Sequence, residues 1–313
     1  MRDLADLRDG AVSALSRLTA AGQDIVVMVA DSTSTSKIAA FLDAYPDRVI
    51  NVGIAEQNMV GMAAGLALGG HIVFTANAAP FLVGRANEQV KNDVCYSATN
   101  VKMLGLNAGV AYGPLASTHH AIDDISIMSG FGNVQIFAPC DDVEVAQIVA
   151  YAASVDGPVY IRLDNAKFPV VHDAHYRFRP GRPDVLIDGR EVAVIALGSV
   201  VGEALDACER LQQEGANPTL VNLSSLRPLD QDELARIVAD HDAVVTVEEH
   251  SLHGGIGATL ALLMARRQLH RRLTTLGITE GEFARYGTRQ GIRRHYRIDA
   301  DGIAHAVRAA LAG

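Results

Sequence analysis

One carboxylate stands ahead of a long uncharged stretch in residues 51–70, NVGIAEQNMVGMAAGLALGG. Glu56 precedes Gly61, Gly65 and Gly69, which recur every four residues and share one face of a predicted helix. Each glycine costs about 1 kcal/mol relative to alanine in a helix, so we expect another backbone to pack closely there, at a subunit interface. Desolvation at such a contact would raise the pKa of Glu56, and a neutral acid can donate a hydrogen bond. Composition alone favours the alternative, an acid that only complements the helix dipole.

Two histidines lie at a loop-to-helix junction in residues 113–130, GPLASTHHAIDDISIMSG. Adjacent histidines point in different directions on most backbones, so His119 and His120 are a poor metal site. Asp123 and Asp124 follow in the first helical turn, where acids are expected from the helix dipole. Histidines in this position are typical of polar recognition or acid–base chemistry.

Two further stretches carry weaker signals. The glycine-rich turn in VEEHSLHGGIGATLALLMA (247–265) could hold an anion, but it lacks the full G-x-G-x-x-G pattern and a Walker lysine. A turn that lets a helix pack on a sheet is therefore favoured there. In TANAAPFLVGRANEQVKNDVCY (75–96), local sequence alone favours a core position for Phe81 and a solvated helix face for Arg85, Glu88 and Gln89.

The elements that position these stretches alternate along the chain. Apolar, β-branched runs predict strands, and the segments between them have helical patterns. The predicted strands are DIVVMVA (24–30), RVINV, HIVF, VKMLGLNAG, VQIFAP, PVYIRL, EVAVIALG (191–198), PTLVNLSSL, AVVTVEEH and RLTTLGI. This alternation predicts an α/β fold of two consecutive domains, each a mostly parallel sheet flanked by helices. We expect the first domain at 1–165, a proline-containing linker at 166–190 and the second domain at 191–313.

Composition excludes several classes of protein. The net charge of −9 argues against a nucleic-acid binder, and the basic cluster RQGIRRHYR (289–297) is expected to be a solvated or interface face. The longest uncharged run, 57–84, is interrupted by glycines and His71, so we expect no membrane span. Three widely separated cysteines and an N-terminus without signal-peptide features favour a reducing cytoplasm.

Taken in order, three stretches resemble the transketolase family of thiamine-diphosphate enzymes, and the resemblance covers nearly the whole chain. NVGIAEQNMVGMAAGLAL is similar to the family's conserved-acid helix, STHHAIDDI to its substrate loop, and VVTVEEHSLHGGIGATL to the signature of its C-terminal domain. The resemblance is closest to the C-terminal half as it occurs in two-subunit transketolases. It implies a pyrimidine-binding domain followed by the transketolase C-terminal domain.

The resemblance also implies roles for individual residues. In the family, the acid at the position of Glu56 contacts N1′ of the cofactor's aminopyrimidine. Phe81 falls where an aromatic side chain packs against the pyrimidine ring, and Asp31 falls where an acid approaches the thiazolium. His119 matches the histidine that contacts the ketose substrate. We therefore expect Glu56 and His119 to be catalytic, and Glu56, Phe81 and Asp31 to bind the cofactor.

Several substrate positions depart from ordinary transketolase. Leu115 stands where the family has an aspartate that hydrogen-bonds to a sugar hydroxyl, and Ala78 stands where it has a second aromatic residue. Asn107 replaces a histidine and Asn165 replaces an arginine, both of which bind the sugar phosphate in the family. Amides in place of charged groups remove the stronger, charge-assisted hydrogen bonds. We therefore expect the substrate to be a modified, deoxy or non-phosphorylated ketose or ketoacid, or its phosphate to be bound in a different way. The substrate-pocket candidates are His119, His120, Asn107, Leu115, Thr35 and Asn165.

The sequence contains no G-D-G element, which the family uses to bind the diphosphate through Mg²⁺. We therefore expect no metal site in this chain and no activity without an N-terminal transketolase subunit. The expected assembly is α₂β₂, with the glycine face behind Glu56 as the helix contact. Three alternatives stay open: a 2-oxo-acid dehydrogenase β-like subunit, a deoxyxylulose-phosphate-synthase-like subunit and a non-catalytic regulatory paralogue.

Overall fold

A computed structural model describes residues 2–279 and 281–312. Strands and helices alternate along the chain and form two large sheets and one small sheet. The strands are β1 (Leu4–Asp6), β2 (Ile25–Val29), β3 (Val49–Asn51), β4 (Ile72–Ala78), β5 (Val101–Leu106), β6 (Gln135–Phe137), β7 (Val159–Arg162), β8 (Lys167–Pro169), β9 (Asp184–Ile187), β10 (Val192–Ala196), β11 (Thr219–Asn222), β12 (Ser225–Arg227), β13 (Ala243–Ser251) and β14 (Arg272–Ile278). The α-helices are α1 (Leu7–Ala20), α2 (Ala39–Ala44), α3 (Glu56–Leu68), α4 (Asn87–Gln89), α5 (Asp124–Ser129), α6 (Asp142–Ser154), α7 (Val201–Gln213), α8 (Gln231–Ala239), α9 (Ile256–Arg267), α10 (Arg289–His295) and α11 (Ala300–Ala312).

The first large sheet has the strand order β12-β6-β7-β5-β4-β2-β3, and all its strands are parallel except β12. Its central strands β4, β5 and β7 are mostly apolar and are buried along nearly their whole length, because helices cover both faces of the sheet. One apolar cluster lies between this sheet and α1 and α6, around Phe74 and Phe137. A second cluster lies on the opposite face against α3 and the helical segment 80–96, around Met59 and Met103.

The second large sheet has the strand order β14-β13-β10-β11-β9, and only β9 is antiparallel. Helices α7 and α11 pack on one face, and α8 and α9 pack on the other. The α/β class with two mostly parallel, helix-flanked sheets is therefore confirmed. The exact limits of the two domains stay a prediction.

The connection between the sheets is more structured than its proline content indicates. Strand β8 pairs with β1 near the N-terminus, and β9 forms an edge of the second sheet. The run PTLVNLSSL, predicted as one strand, forms two strands in different sheets. Leu223 still bonds to the second sheet at Ala196, whereas Ser224 accepts a hydrogen bond from Ala138 of the first. Strand β12 therefore extends the first sheet and links the two halves of the chain.

A buried ion cluster joins the two halves, and it corrects the prediction for two arginines of the basic segment 289–297, whereas Arg294, His295 and Arg297 are exposed as expected. Glu249 accepts hydrogen bonds from Arg289 Nε at 3.0 Å and Arg293 Nε at 2.5 Å. Arg289 also pairs with Asp164. Burial would raise the pKa of Glu249, but the two arginines outweigh it and hold the value at about 2. Arg289 and Arg293 are thus largely buried structural cations, because their carboxylate partners are buried with them.

Within the described ranges, none of the helices has the length and apolar character needed to cross a membrane.

Candidate active site

Four of the predicted site residues follow the carboxyl ends of neighbouring parallel strands. Asp31 comes after β2, Glu56 after β3, Phe81 after β4 and Asn107 directly after β5. Strands in parallel order place these ends at one edge of the sheet, where α/β proteins usually bind ligands. The loop that carries His119 follows β5 and ends at this same edge. The order of the strands therefore gathers residues that are far apart in sequence.

Glu56 is the first residue of α3, and its side chain is only 3% exposed. Its Oε2 accepts a hydrogen bond from Nη1 of Arg85 at 2.6 Å. Burial acts to raise the pKa of this carboxyl, but hydrogen bonds from Arg85, from the Glu56 backbone and from Asn77, together with the charge of Arg85, outweigh burial and leave the pKa lowered. The raised pKa expected at a subunit contact stays a prediction, because in the chain alone Arg85, which was expected on a solvated helix face, pairs with Glu56.

Aromatic contacts connect this ion pair to the substrate loop. The Arg85 guanidinium lies over the Phe81 ring, with Cζ 4.7 Å from the ring centroid. The Phe81 and His119 rings meet edge to face with centroids 5.2 Å apart, and Tyr112 contacts His119 at the same separation. The structure thus brings Glu56, Phe81 and His119 into one continuous group through Arg85. A π-helical turn, Pro80–Arg85, carries both Phe81 and Arg85.

Asp31 is exposed and has a left-handed backbone, with φ of 54°. Its N–H donates to Oδ1 of Asn51 at 3.0 Å, and the same oxygen accepts from the N–H of Gly53 at 3.0 Å. Asn51 therefore fixes the Asp31 loop against the turn that leads into Glu56. Nothing in the local sequence distinguishes Asn51, because its role depends on the β2–β3 pairing.

One guanidinium ties together two predicted substrate-pocket residues. Arg8 donates to the carbonyl oxygen of Thr35 at 2.9 Å and to that of Asn165 at 3.0 Å. Its charge is balanced by Asp6, the N-cap of α1, which it contacts at 2.7 Å. An arginine in the first turn of a helix opposes the helix dipole, and this local oddity is the signal that could have identified Arg8.

The remaining candidates divide between the open and the buried sides of the substrate loop. Leu115 is 52% exposed and His119 is half-buried. His120 is buried, donates through Nε2 to the carbonyl oxygen of Gly113 at 3.1 Å, and has a pKa lowered by burial. Asn107 is fully buried with φ of 56°, and neither of its amide atoms has a hydrogen-bond partner in the described ranges. The substrate roles of all four residues stay predictions.

The start of α5 is held by a buried network that reaches the second half of the chain. Asp124 accepts hydrogen bonds from the Tyr160 hydroxyl at 2.7 Å and from Nε of Arg162 at 2.9 Å. Arg162 also donates to the backbone oxygen of Glu249 at 2.9 Å. Asp124 therefore anchors the loop that carries His119 and does more than complement a helix dipole.

The glycine-rich turn before α9 is filled by a side chain of this chain. Glu248 accepts the N–H groups of Ile256 at 2.8 Å and Gly257 at 3.0 Å, and its burial raises its pKa to about 7. A Cβ atom on Gly255 would overlap the Glu248 carboxylate. The helix N-terminus thus has a carboxylate partner already, which supports the packing-turn interpretation over an anion site.

The face of α3 that carries glycines is open in this chain. A Cβ atom on Gly65 would meet no heavy atom of the described residues within 4 Å, and one on Gly61 would lie 3.7 Å from a carboxylate oxygen of Asp93. Gly69 is the C-cap, just past the end of the helix. Ile54, which precedes this helix, and Leu68, its last residue, are each 76% exposed. The backbone that was expected to pack on these glycines does not come from the described part of this chain.

A metal-capable group in the described ranges consists of Cys140, Asp141 and His172, all buried. His172 pairs through Nδ1 with Asp141 at 3.0 Å and through Nε2 with Asp184 at 2.9 Å. Both ring nitrogens are therefore engaged by carboxylates. This cluster joins the loop before α6 to β9, outside the group formed by Glu56, Phe81 and His119.

Comparisons with known proteins agree with this geometry. The family model for the transketolase pyrimidine-binding domain matches residues 4–170, and that for the transketolase C-terminal domain matches residues 181–303. One of the subunits of the apulose-4-phosphate transketolase from Actinobacillus succinogenes is 53% identical, over 90% of this chain and 91% of that protein. The 6-deoxy-6-sulfo-D-fructose transketolase subunit SqwH from a Clostridium species is 34% identical, over 82% of this chain and 79% of that protein. A solved split-gene transketolase, an inactive β4 tetramer, has a TM-score of 0.86 and 37% identity over 98% of both chains.

Proposed function

Because this chain belongs to the transketolase family, as the C-terminal subunit of a split enzyme, we propose that Glu56, Phe81 and His119 form its half of a shared thiamine-diphosphate site. The observation that carries this proposal is the continuous contact of the Glu56 carboxylate, the Arg85 guanidinium, the Phe81 ring and the His119 ring. It combines a buried acid, a flat apolar face and a polar side chain of the substrate loop.

These residues fit an aminopyrimidine ring. Glu56 offers a buried carboxylate that pairs with a cation whose side chain is 47% exposed. Such a carboxylate can hold a proton against a ring nitrogen, and Phe81 offers a face for stacking. When bound, thiamine diphosphate would supply the nucleophilic carbon and the electron sink for two-carbon transfer. Asp31 lies at the same sheet edge, where its carboxylate can orient the charged part of the cofactor.

We propose that the diphosphate and Mg²⁺ are held by a partner subunit. This chain has no G-D-G element, and the metal-capable cluster around His172 is satisfied by its own ion pairs. The solved split-gene relative, a β4 tetramer, is described as inactive, which supports a need for a second type of subunit. An α₂β₂ enzyme would cover the open glycine face of α3.

The three cysteines are free, as is typical of proteins in a reducing cytoplasm, where we place the enzyme.

We propose a modified ketose that carries an anionic group as the substrate. One relative is named for apulose 4-phosphate and another for 6-deoxy-6-sulfo-D-fructose. The amides Asn107 and Asn165, at positions where ordinary transketolase is expected to have charged or ionisable side chains, support such a departure. The 53% identity to the first relative favours a branched or modified sugar phosphate of the apulose 4-phosphate kind.

The test uses the complex of this chain with a G-D-G-containing N-terminal subunit. Glu56→Gln should assemble normally and bind the cofactor, but lose about 10²- to 10⁴-fold in turnover, the usual contribution of a positioned proton-transfer group. Glu88→Gln, which changes an exposed acid on α4, is the matched control and should retain wild-type turnover. Wild-type turnover by Glu56→Gln would instead indicate a regulatory role for this chain.

Substrate choice is tested with the same complex. Apulose 4-phosphate and xylulose 5-phosphate are compared as donors at equal concentration with one aldose phosphate acceptor. We expect a higher kcat/KM for apulose 4-phosphate. Equal or better use of xylulose 5-phosphate, at ordinary transketolase rates, would contradict the proposed substrate class while leaving the cofactor site intact.

A further inference from the structure

Arg85 occupies an unusual position for a partly exposed arginine. It closes the π-helical turn Pro80–Arg85 and donates to Oε2 of Glu56 at 2.6 Å. Its guanidinium carbon lies 4.7 Å from the centroid of the Phe81 ring. The arginine side chain is 47% exposed, whereas the carboxylate beneath it is 3% exposed. Arg85 thus covers both groups that the proposed function assigns to the aminopyrimidine.

A guanidinium and an aminopyrimidine share the features that this place recognises. The guanidinium is planar, presents N–H donors in its own plane and stacks on aromatic faces. An aminopyrimidine is likewise planar, with ring nitrogens and an amino group in the plane of the ring. Either group could pair with the Glu56 carboxylate and stack on the Phe81 ring, and Arg85 already contacts both. An aminopyrimidine bound through these two residues would therefore compete with Arg85 for them.

We infer that Arg85 is a placeholder for the cofactor, which pairs with Glu56 and covers Phe81 in the empty subunit and must swing away before thiamine diphosphate binds. This inference rests on the proposed function of Glu56 and Phe81. An unpaired carboxylate buried at this depth is costly, so the placeholder stabilises the empty site. The same contact reduces the apparent affinity for the cofactor, because only the fraction of molecules with Arg85 displaced can bind it.

The geometry allows this exchange without rearrangement of the fold. The arginine head group is at the surface, so rotation of its side chain can carry it into solvent. Leu82 and Val83 of the same turn are buried, and they keep the backbone in place. Burial acts to raise the pKa of Glu56, but hydrogen bonds from Arg85, the Glu56 backbone and Asn77 together leave the pKa lowered, which agrees with an ionised carboxylate while Arg85 pairs with it.

The experiment measures cofactor affinity of the assembled two-subunit enzyme by calorimetric titration with thiamine diphosphate at saturating Mg²⁺. Arg85→Met should bind about 5- to 30-fold more tightly than wild type, since one charge-assisted and partly exposed hydrogen bond no longer competes. Arg85→Lys keeps the charge but loses the planar face, so it should show a smaller gain. Arg308→Met, which removes a similarly exposed arginine paired with Glu214 on the second half of the chain, is the control and should leave the affinity unchanged.

A double-mutant cycle with Glu56→Gln isolates the competition from other effects. In that background no ion pair exists and only the Phe81 contact of Arg85 remains, so Arg85→Met should increase the affinity much less than it does with Glu56 present. If Arg85→Met fails to fold, Arg85→Lys in the same cycle gives the answer. Wild-type complex that does not bind the cofactor would remove the proposed function and this inference with it. Wild-type complex that binds, with equal or weaker binding by both Arg85 variants, would overturn the placeholder alone.

Discussion

Replacing Gly65 by alanine should have opposite effects on the single subunit and on its assembly. The added Cβ atom would meet no heavy atom of the described residues within 4 Å, and the position is exposed on α3. Alanine is favoured over glycine in a helix interior by about 1 kcal/mol. When the subunit is isolated, Gly65→Ala should therefore raise its free energy of unfolding, and the expected gain is about 0.5–1 kcal/mol.

Gly65→Ala should weaken the assembled enzyme if the glycine face of α3 is the expected subunit contact. A methyl group inserted into a closely packed contact costs about 1–3 kcal/mol. This corresponds to roughly a 5- to 150-fold increase in the dissociation constant of the complex, at about 1.4 kcal/mol for each tenfold change. Gly61→Ala, one helical turn earlier on the same face, should act in the same direction.

Two measurements separate these effects. Urea unfolding of the dilute subunit gives its stability, and sedimentation with the N-terminal partner gives the dissociation constant. The variant that should contrast with both is Gly10→Ala on α1, whose Cβ would overlap the backbone oxygen of Asp142 in this same chain. It should destabilise the subunit without a specific effect on assembly. Unchanged assembly by Gly65→Ala and Gly61→Ala would refute the assignment of the glycine face to the subunit contact.

Three other perturbations test the supporting structure. Glu249→Ala should lower the free energy of unfolding by about 3–5 kcal/mol in urea titration, because its arginine partners remain buried without a counter-charge. Burial lowers the pKa of His172, but its two carboxylate partners outweigh burial and raise it to about 10. Its contribution to stability is full below about pH 6.5, so the stability difference between wild type and His172→Gln should shrink by about 1.4 kcal/mol per pH unit up to about pH 10. Gly105→Ala would place Cβ on the Tyr160 hydroxyl, and should cost about 1–3 kcal/mol and raise KM by loosening the His119 loop.

Local pattern determined much of this protein. Apolar strand runs between helical segments are short-range signals, and they predicted the two parallel sheets and most element positions. The motif around Glu56 indicated the cofactor class, because the same few residues must contact the same chemical group. The residues Asn107, Leu115 and Asn165 led to the expectation of an unusual substrate, and that expectation stays a prediction.

Tertiary structure alone decided how side chains pair across long distances in sequence. From local sequence, Arg85 was interpreted as a solvated residue, because nothing in its own helical segment shows that Glu56, 29 positions earlier, lies against it. Arg289 and Arg293 were interpreted as surface cations, because their buried partner Glu249 is at least 40 positions away in the sequence. Local sequence sets backbone preference, whereas the partner of a charged group depends on which strands are neighbours. For that reason the sequence could indicate Glu56 as the candidate acid, but only the folded chain showed that an arginine covers it.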